Sequence, residues 1–248
     1  MSRVAFSDLR TAAYCPRKLY YRRDDDREPP PRVATIRALA TRYPALLEAD
    51  DSTLDSEPIA LEPSVYRARL ASTRERLRAT SNGLESLEEA TETDGSARDV
   101  TQTTHDRWAA ICAPIETDAF VAGRDCHGIV HKILADPLEP VLVSTGRPPD
   151  NGVWESQTVH AVAAAKALAW TRGERVGGAW VEYPAYGRIR YVPMTTRRKA
   201  AYRRTLREVR ELDGPPPRLQ NSEKCEHCEY ADTCGVRTRS LRSLLGFG

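Results

Sequence analysis

The alternation of apolar and polar residues divides the chain into helical and strand-like stretches. In FSDLRTAAYCPRKLYYRR, the apolar spacing predicts a short helix that Ser7 caps and that bends or ends near Pro16. Cys15 is therefore expected at a helix boundary. Further helices are predicted at about residues 36–49 and 64–80.

Strand patterns dominate the second half of the chain. The runs HGIVHKIL and PVLVST predict a hairpin at about residues 127–145, and the Ala-rich WESQTVHAVAAAKALAW that follows predicts a helix. A second hairpin, VGGAWVEY with RIRYVPM, is expected to turn around residues 184–187, and Thr195 or Thr196 to cap a basic helix after it. This order predicts one mixed α/β domain over residues 1–248, with a single central sheet.

Composition adds one exception to this pattern and narrows the class of protein. Residues 81–106 are rich in Ser, Thr, Glu and Asp and predict a flexible acidic insert. No apolar run approaches the roughly 18 residues that span a bilayer, and the first ten residues lack a signal-peptide pattern. The chain is therefore expected in the cytoplasm, without a membrane partner.

Charge is unevenly distributed although the net charge is only +2. Residues 1–40 carry 9 basic and 5 acidic side chains, and residues 172–248 carry 16 and 9, whereas residues 48–106 carry 6 and 14. If the two basic ends lie together in the fold, they would bind along a phosphate backbone. A solvated surface of mixed charge explains the same numbers of basic and acidic residues equally well.

Three of the six cysteines lie in the short stretch CEHCEYADTC. Cys225, Cys228 and Cys234 form a C-x2-C-x5-C pattern, which predicts a metal site because thiols stay reduced in the cytoplasm. A zinc ribbon would supply a second C-x2-C pair, which this chain lacks. In a zinc site His227 would replace a thiolate, whereas an iron–sulfur cluster accepts a fourth ligand from elsewhere.

Cys15 is the best candidate for that fourth ligand. It is expected at a helix boundary, next to Pro16 and among basic residues. Cys112 and Cys126 fall in or beside apolar or strand-like stretches and are expected to be small buried hydrophobic residues. Three unliganded thiols are the remaining alternative.

The stretches SDLRTAAYCPRKLYY and CEHCEYADTC, with the two hairpins between them, resemble the Cas-four family of CRISPR-associated exonucleases. The resemblance covers nearly the whole chain apart from about residues 50–115. It implies a RecB-like nuclease of the PD-(D/E)xK superfamily, with a restriction-endonuclease-like central mixed sheet flanked by helices.

The resemblance also implies a four-iron, four-sulfur cluster that clasps the two ends of the domain. The cluster-binding ends would be residues 1–30 and 213–248. The positions that match the family's ligands one for one are Cys15, Cys225, Cys228 and Cys234.

The resemblance implies catalytic positions whose chemistry this chain has lost. His131 stands where the family has a metal-binding Asp, Leu142 where it has Glu, Ser144 where it has Lys, and His160 where it has Gln. Leu cannot bind a metal and Ser carries no charge, so magnesium binding is expected to be greatly weakened and no catalytic residue to be intact. The backbone signature around these positions is kept at Gly128, Gly146, Pro148 and Pro149.

Two other functions remain open at this stage. In the first, a metal-dependent exonuclease for single-stranded DNA uses magnesium, manganese or another metal, held by relocated ligands drawn from Asp125, His127, His131, Glu155 and His160. The alternative without a metal is that His127 and His131 lie on the same face of one strand and form ordinary hydrogen bonds. In the second function, zinc stabilises a structural or partner-binding protein.

Basic residues interleaved with tyrosines predict a surface for single-stranded or frayed DNA, because cations neutralise phosphates and aromatic rings stack on bases. In the family, the partners are the integrase proteins of CRISPR adaptation. Ordinary solvation of a basic helix is the competing explanation, and Tyr20 or Tyr21 would then pack against the cysteines. The cationic candidates are Arg17, Lys18, Arg22, Arg23, Arg197, Arg204 and Arg207.

Overall fold

The computed structural model describes residues 2–23, 25, 30–79, 106–219 and 222–235. The predicted insert at 81–106 lies outside these residues, except for Asp106. The described helices are α1 (Phe6–Tyr14), α2 (Pro16–Arg22), α3 (Pro31–Leu39), α4 (Tyr43–Glu48), α5 (Asp51–Ser56), α6 (Pro63–Ala79), α7 (Arg107–Cys112), α8 (Glu155–Arg172), α9 (Thr196–Arg210), α10 (Ser222–Glu226) and α11 (Ala231–Cys234).

One mixed sheet runs through the centre of the fold. Its strands are β1 (Val4–Ala5), β2 (Glu116–Ala122), β3 (Cys126–Leu134), β4 (Glu139–Val143), β5 (Gly178–Tyr183) and β6 (Arg188–Pro193). The strands β2, β3 and β4 pair antiparallel, β5 joins β4 in parallel, and β6 completes a hairpin with β5. The crossover from β4 to β5 passes through α8, as a parallel connection requires.

The strand β3 has one edge that is only partly paired. β2 pairs along nearly the whole of the other edge, from His127 to Ile133. On the partly paired edge, β1 pairs with residues 126–127 and β4 with residues 132–134. An opening between strands is therefore left beside residues 128–131.

Two layers of helices cover the two faces of the sheet. Alternating strand residues point to opposite faces, so Leu142 packs into a core with α1, α8 and α9, whereas Val141 and Val143 pack into a second core with α3 to α7. The first core is closely packed around α8. A Cβ added to Gly123 would lie 2.8 Å from the backbone of Ala167, so the small residues there allow helix and sheet to approach.

The second core contains a buried ion pair. Lys132 Nζ lies 2.8 Å from Glu182 Oε1 and also donates to the carbonyl oxygens of Ala40 (2.8 Å) and Ile111 (3.0 Å). All three ammonium protons therefore have acceptors. Burial raises the pKa of Glu182, while Lys132 opposes that shift. This pair ties the sheet to the ends of α3 and α7.

The fold confirms the mixed α/β class and a mixed sheet flanked by helices. Both hairpins, the Ala-rich helix and the helix at 64–80 are present, and Thr195 caps α9 by accepting the Arg198 N–H. The helix predicted at 36–49 is wrong in detail, because a turn separates α3 from α4, which begins with Tyr43-Pro44. Ser7 is not the cap of α1, since Ala5 occupies that position. None of the described helices combines the length and hydropathy needed to cross a bilayer.

Candidate functional site

Cys15 lies at the junction of α1 and α2. Its backbone is extended, with φ −161° and ψ 113°, and Pro16 begins the next helix. Pro16 lacks an N–H and restricts the residue before it to extended conformations. The sequence Tyr14-Cys15-Pro16 thus breaks the helix and places the thiol in the break.

The other three clustered cysteines lie on a compact turn at the end of the described chain. Cys225 is on α10, and its carbonyl oxygen accepts the Cys228 N–H at 3.1 Å. The Cys234 N–H donates to the Tyr230 carbonyl at 2.8 Å, which closes α11. This turn brings the C-x2-C-x5-C thiols near one another.

The two cysteine segments pack against each other through direct contacts. Tyr14 Oη donates to the Lys224 carbonyl and Lys224 Nζ to the Tyr14 carbonyl, both at 3.2 Å, across a separation of 210 residues. Lys18 pairs with Glu229 at 2.9 Å. The Tyr21 and Tyr230 rings stack with centroids 6.0 Å apart. The segment around Cys15 therefore packs against the segment that carries Cys225, Cys228 and Cys234.

The four cysteines line one cavity at this junction. Burial raises the pKa of the Cys225 thiol, and the neighbouring Cys15, Cys228 and Cys234 raise it further. The cationic residues that share the cavity lining are Arg17, Lys18, Arg218 and Lys224. The raised pKa disfavours the Cys225 thiolate, the form in which cysteine binds metals, so a bound metal would have to displace the thiol proton.

The four cysteines do not form a preformed site for a metal ion in the described structure. Within the part of the chain that the structure describes, no group of three or more His, Cys, Asp or Glu side chains is arranged to hold a metal ion. A single zinc ion would draw four sulfurs to about 2.3 Å from one point. The two remaining cysteines lie elsewhere: Cys126 is buried, as predicted, whereas Cys112 is only half-buried.

His131 occupies the opening between β3 and β4. Its Nδ1 accepts the Val143 N–H at 3.1 Å, so the imidazole replaces the ladder bond that would otherwise join the strands there. Burial lowers the pKa of His131 to about 4, and Arg37 and Arg10 contribute to the lowering, while Asp118 opposes it. The ring is therefore neutral at pH 7.

The two positions on and after β4 serve structural roles. Leu142 is 3 % exposed and belongs to the first core. Ser144 is buried and its Oγ accepts a hydrogen bond from Gln157 Nε2 at 2.7 Å. Gln157 Oε1 in turn accepts from the Tyr183 hydroxyl and from the Trp154 N–H.

The family resemblance implies a Gln at the position of His160, but Gln157 is the glutamine that contacts Ser144. Helical spacing would have found it, because Gln157 and His160 are three residues apart and face the same side of α8. His160 packs on Phe6, with ring centroids 5.7 Å apart. No partner for its shielded Nε2 exists among the described residues, and burial lowers its pKa to about 3.

Two exposed arginines that the sequence analysis missed carry charges that act on these histidines. Arg10 lies one helical turn after Phe6 on α1, and Arg37 lies one turn before Ala40, the residue whose carbonyl binds Lys132. Both charges lower the pKa of His131 and of His160. The only sequence signal for these arginines is their helical spacing from Phe6 and Ala40. The sequence does not show what those two residues contact, so it could not place the arginines.

The relocated-ligand hypothesis finds no support in the geometry. Asp125 pairs with Arg210 at 3.0 Å and Glu155 with Arg204 at 3.1 Å. His127 packs against Phe120 rather than against a carboxylate. No group of three or more among the described His, Cys, Asp and Glu side chains is arranged to hold a metal ion, and this holds for these five residues as it does for the four cysteines.

Most of the predicted DNA-binding cations of the N-terminal segment have partners within the protein. Arg17 donates to the Pro216 carbonyl at 2.7 Å, Arg22 to Thr11 Oγ1 at 2.6 Å, and Arg23 to the carbonyls of Val209 and Leu212 at 3.0 Å. The Arg17 and Arg23 bonds and the Lys18–Glu229 pair join the N-terminal segment to the C-terminal part of the fold, whereas the Arg22 bond stays within the N-terminal segment. The N-terminal cations therefore position the cysteine segments, a role that the sequence could not reveal because the partners lie about 200 residues away.

The basic face of α9 remains exposed. Arg197, Arg204 and Arg207 are on its solvent side, with Arg204 paired to Glu155. Tyr202, which lies among these arginines in the sequence, is 1 % exposed, and its hydroxyl donates to Cys126 Sγ at 3.3 Å. Tyr202 is therefore a core residue and does not stack on bases.

Comparisons with known proteins add no identity. The sequence matches no protein-family model, and the curated proteins contain no significant match.

Proposed function

We propose that this chain is a Cas-four-like protein of the PD-(D/E)xK fold that holds a four-iron, four-sulfur cluster, binds DNA and has lost nuclease activity. One observation carries the proposal. Cys15 and the three cysteines of the C-terminal turn line one cavity, although about 210 residues separate them along the chain.

The residues of this cavity fit such a cluster in the type and number of their side chains. A cubane has iron at four of its corners and binds one thiolate at each, so it takes four cysteines. The four thiols that line the cavity would supply that set. The surrounding cations offset the charge of four thiolates. When bound, the cluster would supply iron–thiolate bonds to both ends of the fold.

The order of elements supports the superfamily assignment. The resemblance implies an Asp on one strand, a Glu-x-Lys on the next and a Gln on the following helix. The antiparallel strands β3 and β4, and then α8, follow in that order. Gln157 lies against Ser144 at the point where β4 leaves β3.

The same positions argue against hydrolysis of a phosphodiester. Magnesium prefers carboxylate oxygens and water, and it would activate water for attack. The described site offers His131, Leu142 and Ser144 in place of a carboxylate pair and a lysine, and two arginine charges lie nearby. These charges repel a divalent cation and attract a phosphate.

DNA binding is assigned to the exposed cations of α9 and to the arginines beside the histidines. A basic surface without a catalytic metal site would bind a strand without cutting it. Integrase proteins of CRISPR adaptation are the partners that the resemblance implies.

The cluster is tested by quantifying iron and acid-labile sulfide in anaerobically purified protein. The proposal predicts about four of each per chain and a visible thiolate-to-iron absorption. A preparation with one zinc and no iron would contradict it and favour the zinc-stabilised structural protein. Replacement of His227 by Ala should leave the iron content unchanged, because the four cysteines complete the ligand set.

A further inference from the structure

A cleft of about 510 Å³ lies where β1 pairs with the start of β3. Its volume is typical of sites that bind small molecules. The lining comes from β1, from the first turn of α1, from Arg23 after α2, from His127 of β3 and from the end of α9. This cleft shares no lining residue with the cysteine cavity, so it is a second candidate site in the described part of the chain.

Three arginines line the cleft, and each is held by bonds to another part of the fold. Arg3 Nε donates to the Gly123 carbonyl at 2.7 Å, and Arg210 pairs with Asp125 at 3.0 Å. Arg23 donates to two carbonyls at and just after the end of α9, both at 3.0 Å. A guanidinium has five N–H donors, so all three arginines keep donors that these bonds do not use.

The charge of the lining favours an anionic ligand. Asp8 is the only carboxylate beside the three arginines among the described residues that line the cleft. Asp125 offsets the charge of Arg210, which still leaves the cleft with a net positive charge. The planar guanidinium of arginine donates two parallel hydrogen bonds to phosphate oxygens. A phosphate group is therefore the anion that these side chains suit best.

An exposed apolar surface adjoins the cleft through His127. The imidazole lines the cleft and packs against Phe120, with ring centroids 5.8 Å apart. Phe120 of β2 lies directly opposite Ile129 of β3, and the two residues are 65 % and 53 % exposed. Opposite residues of paired strands share one face of the sheet. An aromatic ring bound next to the phosphate would therefore find a stacking surface here.

The carboxylate of Asp8 suits a different part of the same ligand. Its side chain has no hydrogen-bond or ion-pair partner among the described residues. A carboxylate repels phosphate, but it accepts a hydrogen bond from a sugar hydroxyl, and acidic residues bind ribose in this way in dinucleotide sites. The cleft thus offers separate contacts for a phosphate, a sugar and a base.

We propose that this cleft binds a nucleotide. The arginines bind its phosphate, Asp8 accepts a hydrogen bond from its sugar, and the base packs on Phe120 and Ile129. The nucleotide is either free or the phosphorylated end of a DNA strand. The second form rests on the function proposed above, whereas the cleft itself does not.

The test is calorimetry with adenosine 5′-monophosphate, adenosine and inorganic phosphate, without divalent metal. Arg3→Gln combined with Arg210→Gln should weaken binding of the monophosphate by about tenfold or more, because charge-assisted contacts to phosphate are strong. Phe120→Ala and Asp8→Ala should each weaken binding of the monophosphate without weakening that of inorganic phosphate. Arg175→Gln is the matched control, because this exposed arginine does not line the cleft.

The outcomes distinguish this inference from the proposed function. Arginine-dependent binding of the monophosphate supports the cleft even if oligonucleotides do not bind, a result that would contradict only the DNA function. Displacement of the monophosphate by a 5′-phosphorylated oligonucleotide, but not by its 5′-hydroxyl form, identifies a strand end as the source. If the monophosphate does not bind, or binds the double arginine variant as tightly as wild type, the cleft is not a nucleotide site, whatever oligonucleotides do. Circular dichroism confirms that each variant is folded.

Discussion

If the proposed cluster is present, replacing Cys15 by Ser removes the one ligand that comes from the N-terminal segment. The remaining three ligands all lie within the C-terminal turn, so the variant loses the link between the two ends. Contacts between the two ends remain, and among them the Lys18–Glu229 pair and the Tyr14–Lys224 bonds are at the surface. Each is expected to contribute less than about 1 kcal/mol.

The magnitude follows from the length of chain that the cluster closes. A cross-link across about 210 residues restricts the unfolded chain by roughly 5 kcal/mol on the loop-entropy relation, and real cross-links often deliver less. A loss of about 2–5 kcal/mol is therefore expected for Cys15→Ser. For a chain of this size, such a loss lowers the melting temperature by about 10 °C.

The assay is thermal unfolding followed by circular dichroism under anaerobic conditions, with iron measured on the same samples. Cys112→Ser is the matched control, because its thiol is half-buried and does not line the cavity. The control should keep its iron. If Cys15→Ser kept both the full iron content and the wild-type melting temperature, Cys15 would not be the fourth ligand and the clasp would be refuted.

Two further predictions concern the core and the histidines. Replacing Lys132 by Met should lower the free energy of unfolding by about 3–5 kcal/mol in urea titrations, because Glu182 is left buried without its partner. A second change, Glu182→Leu, should recover much of this loss. If the Lys132→Met variant were as stable as wild type, the ion pair would contribute nothing to stability. The pKa values of His131 and His160 are lowered in the folded state to about 4 and 3, so the unfolded chain binds more protons below its own pKa of about 6.5. Stability is thus fully present above pH 6.5 and should fall by up to a few kcal/mol as the pH drops toward 4. Denaturant unfolding across this range measures it, and replacement of both histidines by Gln should flatten the slope; an unchanged slope would show that other groups cause it.

Sequence reasoning predicted the elements whose patterns are local. The strands β3 to β6 alternate or run apolar, and Thr195 caps α9 with its own hydroxyl. β2 was missed because it is an edge strand with exposed polar residues and an exposed Phe120, so that Val121 is its only fully buried residue. The break between α3 and α4 was missed because apolar spacing continues through it.

The candidate site was predictable only where its chemistry is specific to a residue type. Three thiols within ten residues predict a metal site, and a fourth thiol at a helix break is the candidate for the remaining ligand. The metal site itself stays a prediction. The roles of Arg3 and Arg23 depend instead on contacts between residues far apart in sequence. Arginines are common on surfaces, so only the packing of β1, α2 and α9 distinguishes those that build a site.

The central claim, that this chain binds DNA without cutting it, is tested most directly with end-labelled single-stranded DNA and anaerobically purified, cluster-loaded protein. A gel-shift in chelator is run beside a cleavage assay in magnesium or manganese. The account predicts a shifted band and no shortened products with either metal. Metal-dependent cleavage that chelator abolishes and that His131→Ala removes would show a rebuilt nuclease centre, and the absence of any shift would contradict the DNA-binding function itself.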